Sequence, residues 1–423
     1  MKKFLFPLIL LFGSLLWAQN GGPNIQNSTE PNIVHQPLSL LSDFTIDQDD
    51  FVNQCIAMVE ENNIANTIIT LENYGTRFHS KPSGVQASHD IKDWWQDLAD
   101  TYERNDITVE AFNHSFSNQI SVILTIPGNE SPDEIVIIGG HLDSGDFWLQ
   151  DNAPGADDNA SGIATLTETL RVLLANDFQP KKTVQIMAYA AEEIGLNGSA
   201  DIAQTYKNQS KNVLGVLQFD LTNYKGSDFD IALNNDAQYT SSELNLFLID
   251  LLEHYNASGE HPISYDFSKC NYACSDHASW AQKGYKAAFP MESAFEDANP
   301  NIHTPNDTFA AMNNDASHSV KFVKLALEFV IETAKTIQLN TTEVNAPQLQ
   351  VTVNQNKLLY KIDHFDSPLK SIVLIDTNGK RVLLTEQPDN QGEISMAGFP
   401  AGAYIAVFKA ENGKSFSKKF LLR

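Results

Sequence analysis

Between about residues 44 and 338, short apolar runs alternate with segments of helical period. Ile91, Trp94, Trp95, Leu98 and Tyr102 recur at helical spacing, and residues 109–126 alternate enough for one or two strands. In the stretch EIVIIGGHLDS (134–144), four consecutive aliphatic residues, 135–138, run into two glycines. A short apolar run closed by Gly reads as a strand buried in a parallel sheet. Ile163, Leu166, Leu170, Leu173 and Leu174 then mark an amphipathic helix, its start signalled by acids and Ser161. Residues 184–190 and 213–219 read as strands, 244–255 as a helix, and 287–291 as one more buried strand. The helix predicted over 320–337 carries Val323, Leu327, Val330 and Ala334 on one face. Strands alternating with helices predict an α/β fold with a mostly parallel or mixed central sheet and helices on both faces.

The texture changes at both ends. Beyond residue 344, strand-like runs at 349–362, 371–375, 381–384 and 403–408 are separated by Asn378-Gly379, Asn390-Gln391-Gly392 and Asn412-Gly413. That pattern predicts a small antiparallel β-sandwich over 345–423, without a cluster of His, Cys or paired acids to carry chemistry. At the other end Lys2 and Lys3 precede an apolar run, 4–16, that exits at Trp17-Ala18-Gln19, so residues 1–19 read as a secretory signal peptide. Residues 20–42 are rich in Asn and Pro and read as a flexible lead or short prosegment, followed by the α/β domain over 43–340. No later segment is long and apolar enough to span a bilayer.

Composition narrows the partners. The 423-residue chain has a formal net charge of -25, which makes a nucleic-acid partner electrostatically unfavourable and suits divalent cations. Of three cysteines, the close pair Cys270 and Cys274 in an exported chain suggests one local disulfide, leaving Cys55 as a small buried hydrophobe.

Acids or His follow three of the predicted strands at once. His141 stands just past residues 135–138, where open α/β sheets keep their ligands, and Asp143 is placed to orient its imidazole. Glu192 and Glu193 follow 184–190, Asp220 follows 213–219, Asp158 opens a helix, and His303 lies further on. Taken singly, each acid could merely complement a helix dipole, and His141 could be a satisfied surface residue. Together, two His and several carboxylates suit zinc better than Mg²⁺ or Ca²⁺, and two ions roughly 3.5–4 Å apart would need a bridging carboxylate.

Six runs in order resemble the secreted bacterial leucyl aminopeptidases, co-catalytic di-zinc exopeptidases. They are GGHLDS (139–144), PGADDNASG (154–162), AYAAEEIGLNGS (188–199), FDLTNYKGS (219–227), CNYACSDHASW (270–280) and NPNIHTPNDT (299–308). The resemblance implies two zinc ions, with Asp158 rather than Asp157 as the bridge. It implies Glu193 and His303 on one ion, and His141 and Asp220 on the other. Glu192 would be the general base, Asp143 the partner of His141, and the Tyr272 hydroxyl an oxyanion donor; the Asp158–Asn159 peptide would be cis. By position the side-chain pocket would hold Leu221, Tyr272, Met291, Phe295 and Ile302, favouring Leu, Met or Phe at the substrate's N-terminus. Met291 and Ala298 stand where aromatic residues are expected, which implies a roomier pocket.

LKSIVLIDTNGKRVLL and GFPAGAYIAVFKAENGKSFSKKFLLR, in the last module, are similar to the carboxyl-terminal sorting domains of type IX secretion; a carbohydrate-binding or generic sandwich is the alternative. The expected partners are peptide N-termini and that secretion machinery, and the expected state is an extracellular or cell-surface monomer. Two other readings keep the fold: a glutaminyl cyclase with one working zinc, and a non-enzymatic surface or binding protein, since relatives of this fold include receptor ectodomains.

Overall fold

Residues 135–138 lie at the centre of a sheet and point alternately into two cores. In the computed structural model, which describes residues 44–146, 150–256, 262–336 and 348–422 apart from 355, 364, 366, 377–380 and 412–414, this run belongs to strand Ser131–His141. The expected signal peptide and lead lie outside the described residues, as do two of the expected turns, Asn378-Gly379 and Asn412-Gly413.

Val136 and Ile138 pack into a large core with Ile163, Leu166, Leu170, Val323 and Leu327 from helices Gly162–Ala175 and Ser317–Ala334. Ile135 and Ile137 pack into a second core with Ile202 and Ala203 of helix Asn197–Asn208 and Trp280 of helix His277–Gln282. A strand buried on both faces has no polar alternation, which is why the run is uninterrupted.

Strands β1 (Thr108–Phe112), β2 (Ser121–Ile126), β3 (Ser131–His141), β4 (Lys182–Tyr189) and β5 (Asn212–Gln218) join the short strand Ala287–Ala288 in one six-stranded sheet. Its order is β1-β2-β4-β3-β5 and then residues 287–288. β3 is parallel to both β4 and β5, whereas β1 and β2 run antiparallel at one edge. Register makes the parallel strands end together: His141 pairs with Tyr189, and Gly139 with Gln218. The segments that follow, 142–145, 190–193 and 219–222, therefore emerge side by side.

The expected single strand over 287–291 is two. Ala287–Ala288 pairs in parallel with β5, and Pro290–Met291 pairs antiparallel with Ile231–Asn234 in a separate three-stranded sheet. Pro290 has no N–H to continue a ladder, and the chain changes sheets there.

The last region is all-β. A three-stranded sheet (Gln348–Asn354, Lys357–Asp363, Gln391–Ser395) and a four-stranded one (Leu369–Asp376, Arg381–Glu386, Gly402–Ala410, Ser415–Leu422) are antiparallel throughout. They share one apolar core of Leu358, Tyr360, Ile372, Leu374, Ile394 and Phe408. The run 349–362 is a hairpin rather than one strand, turning where Asn356 takes φ 59°. No helix among the described residues is long and apolar enough to cross a membrane.

Candidate metal centre

The three strand-end segments bring His141, Glu192, Glu193 and Asp220 to one crevice, and the turn at 156–161 and the loop before residue 304 add Asp158 and His303. His141 Nε2 lies 3.1 Å from Asp158 Oδ1 and 3.4 Å from Asp220 Oδ1. His303 Nε2 lies 3.0 Å from Asp158 Oδ2 and 3.2 Å from Glu193 Oε2. Two triplets result, His141–Asp158–Asp220 and Asp158–Glu193–His303, each offering ligand atoms within 4.8 Å of one another. Asp158 belongs to both and turns one oxygen to each. Imidazole with carboxylate is a donor set that fits zinc, and the buried Glu193 Oε1 has no hydrogen-bond partner among the described residues. Asp157 faces away, accepting from Asn223 N at 3.1 Å and Asn299 Nδ2 at 2.9 Å.

Surrounding groups hold these side chains in place. His141 Nδ1 sits 3.1 Å from the main-chain carbonyl of Asp143; a carbonyl only accepts, so Nδ1 carries the proton and Nε2 is left for a metal. The Asp143 carboxylate, expected as the partner of His141, pairs with the same nitrogen, its Oδ1 3.5 Å away. Its oxygens also accept the successive backbone N–H groups of Glu192 and Glu193, at 3.0 and 3.2 Å, so one carboxylate ties the imidazole to the turn after β4. Ser275 Oγ donates to Asp220 Oδ2 at 2.6 Å, and Asp307 accepts the N–H groups of Asp157 and Asp158 at 3.1 and 3.0 Å. The Asp158–Asn159 peptide is cis. At Gly145 a Cβ would come within 2.7 Å of the Glu193 carboxylate, so only glycine leaves that acid its place.

Ser275 and Asp307 sit inside motifs the sequence already singled out, and that membership was the signal for them. Arg77, fully buried beside the crevice, had no such signal.

With only the chain's own charges present, the crevice is short of cations. Burial raises the Glu192 carboxyl well above its usual range, reinforced by Asp276, Glu193 and Asp220 and opposed by His141. Glu193 is pushed up to about 7 by burial and by Asp158. Burial works against the charge on His303, yet hydrogen bonds that it donates to the carboxylates of Asp158 and Glu193 raise it to about 11. His141 is raised likewise against burial, chiefly by Asp220 and Glu192. Asp158 shows the reverse balance: burial disfavours its charge, but both imidazoles hold it well below the carboxylate range. Positive charge delivered here would replace those protons.

A cavity of about 230 Å³ opens on the crevice. Asp158, Glu192, Glu193, Asp220 and His303 line its polar side; Leu221, Tyr272, Met291, Phe295 and Ile302 line the other, joined by Phe289. Tyr272 is 53% exposed at the rim, its ring edge-on to Phe295 at 5.9 Å. Cys270 and Cys274 form a disulfide beside the cavity, while Cys55 is a buried free thiol whose pKa burial lifts to about 12.

The sequence profile of peptidase family M28 matches residues 121–328. The chain is 33% identical over 298 residues to leucine aminopeptidase 1 of Paracoccidioides brasiliensis, covering 67% of this chain and 73% of that protein. The crystal structure of LapA aminopeptidase from Legionella pneumophila is similar with a TM-score of 0.62 at 32% identity, covering 70% of this chain and 77% of that one. A glutaminyl cyclase from Bacteroides thetaiotaomicron, solved with N-acetylhistamine, shares the fold with a TM-score of 0.51 at 14% identity over 64% of this chain and 97% of the cyclase. Sequence, fold and clustered ligands agree, and the chain belongs to peptidase family M28.

Proposed function

We propose that this chain is an exported aminopeptidase that holds two zinc ions and removes a bulky apolar N-terminal residue, Leu-like by preference, from peptides. Membership of the family makes it a metallo-aminopeptidase. What supports a pair of ions is the position of Asp158, one oxygen 3.1 Å from His141 and the other 3.0 Å from His303. Zinc, when bound, supplies a Lewis acid and acidifies water to a pKa of about 7.

The rest is the work of the chain's own residues. Glu192 lines the cavity beside both triplets without belonging to either, so its carboxylate is free to accept the proton of the attacking water and pass it to the leaving amine. Asp143 fixes the approach of Glu192 through its main-chain N–H. Tyr272, at the rim, offers its hydroxyl to the oxyanion of the tetrahedral intermediate. Met291 and Phe289 form a buried apolar floor suited to an aliphatic or Phe side chain.

Export through residues 1–19 and a sorting role in type IX secretion for 345–423 complete the reading. The basic-apolar N-terminus, the Gly-rich hairpins and the Cys270–Cys274 disulfide, a bond of oxidising compartments, support them. Mass spectrometry of protein collected outside the producing cell should find a new N-terminus beyond residue 19 and loss of the last module; retention of residues 1–19 there overturns the export route.

The activity test is an aminoacyl-anilide panel with and without chelator, run beside a peptide with N-terminal Gln. Leucine anilide hydrolysis that chelator abolishes and zinc restores is the expected result. Cyclisation of the Gln peptide without anilide hydrolysis overturns the proposal.

A further inference from the structure

Arg77 is fully buried, and its guanidinium touches main-chain carbonyls from three separate segments. Nε donates to Leu142 O at 3.1 Å, Nη1 to Leu71 O at 3.1 Å and Pro154 O at 2.5 Å, and Nη2 to Gly155 O at 2.8 Å. Leu142 follows His141, and Gly155 enters the turn that carries Asp158. The Arg77 backbone joins the same knot: its N–H donates to Ser144 Oγ, 2.9 Å, and that hydroxyl donates to Ala153 O, 2.6 Å.

The Arg77 carbonyl extends the knot to the third segment. Gln119 Nε2 donates to it at 2.9 Å and to Gly84 O at 3.0 Å, while Gln119 Oε1 accepts Ala191 N–H at 3.1 Å. Ala191 takes φ 56° immediately before Glu192 and Glu193. With Ser121 accepting Ala190 N–H and Asp143 those of Glu192 and Glu193, four successive amides of this turn are each held by a side chain.

From this wiring we infer that Arg77 and Gln119 are positioning residues that set the spacing of the metal ligands, Arg77 acting on both triplets and Gln119 on the one containing Glu193. The inference rests on the zinc reading above. Only a guanidinium has a rigid planar fork of five donors able to reach four divergent carbonyls; the three donors of a Lys ammonium radiate from one point. A fully buried cation that makes its hydrogen bonds to carbonyls rather than to a carboxylate also offsets the field of Asp143, Asp158, Glu193 and Asp307 around it. A structural role alone would make Arg77 a core clamp whose loss lowers stability without changing zinc affinity in the folded fraction.

The two roles separate in zinc titrations of the metal-free full-length chain against a competing chromophoric chelator, with circular dichroism to establish the folded fraction. Wild-type protein should take up two equivalents. Arg77→Lys should weaken both by about 10- to 100-fold, the range seen when partners of metal ligands are altered. Gln119→Met, which keeps bulk and removes the amide, should weaken one equivalent by a similar factor and leave the other within about two-fold. Wild-type affinities for both ions in folded Arg77→Lys overturn the inference; should that variant fail to fold, wild-type affinities for both ions in Gln119→Met overturn it as well. Wild-type protein that binds no zinc sinks the functional reading itself, a result distinct from either.

Discussion

The crevice at the strand ends and the β-sandwich at 348–422 are both built from strands, yet they differ in what they bury. Near the crevice Asp157, Asp158, Asp276, Glu292, Asp307 and Arg77 are all withdrawn from solvent. In the sandwich, the buried side chains among the described residues are aliphatic, aromatic or Met. Burying an unpaired charge costs several kcal/mol, so a fold keeps such groups only where partners or a cation offset them. Dense buried polarity therefore marks the part of this chain suited to hold a ligand, whereas among the described residues the sandwich joins its two sheets through an apolar core.

The sharpest break of that contrast is Asp158→Ala. It removes the one carboxylate common to both triplets, so both ions should be lost, and kcat/KM for leucine anilide should fall beyond the roughly 10⁴-fold ceiling of a single proton-transfer group. Glu192→Gln should lower kcat by about 10²- to 10⁴-fold with zinc content unchanged by atomic emission. On the other side, Phe408→Ala opens the sandwich core and should cost that module about 3–5 kcal/mol in denaturant unfolding while anilide turnover stays at the wild-type level.

Glu328 sharpens the comparison from within the first region. It is a fully buried acid outside both triplets, raised to about 8 by burial against a hydrogen bond of 2.9 Å from Asn256. The folded protein thus binds a proton that the unfolded chain, with an ordinary value of 4.5, releases. Stability from this group is complete below pH 4.5 and is lost as pH rises through 8. Glu328→Gln should flatten that fall, gaining on wild type by on the order of 3 kcal/mol between pH 5 and 9 in urea melts, with kcat unaltered. The smallest effect belongs to Tyr272→Phe: a half-exposed rim hydroxyl should be worth about tenfold in kcat or less, read from anilide kinetics.

The parallel heart of the fold was legible because burial on both faces leaves a run such as 135–138 without polar interruption. The candidate ligands were legible because they follow strand ends inside recognisable motifs. Helix Asn197–Asn208 was not, since only Ile202, Ala203 and Tyr206 give it a large buried face and the rest is small or polar. The break within 287–291 was missed because apolar continuity hides a change of sheet at Pro290. Asp143 illustrates a different limit: sequence proximity to His141 indicated that partner, and only the fold shows the same carboxylate also reaching across 49 positions to the Glu192 amide. Arg77 is the clearest case, because its role depends on carbonyls brought together only by the fold, and carbonyls leave no mark in a sequence.

On the two-zinc reading, the Asp158 carboxylate is shared by two cations. An anomalous difference map at the zinc absorption edge, on crystals of the full chain, tests it most directly. The account requires two peaks flanking Asp158, one with His141 and Asp220, the other with Glu193 and His303; a single peak, or zinc bound away from Asp158, would contradict it.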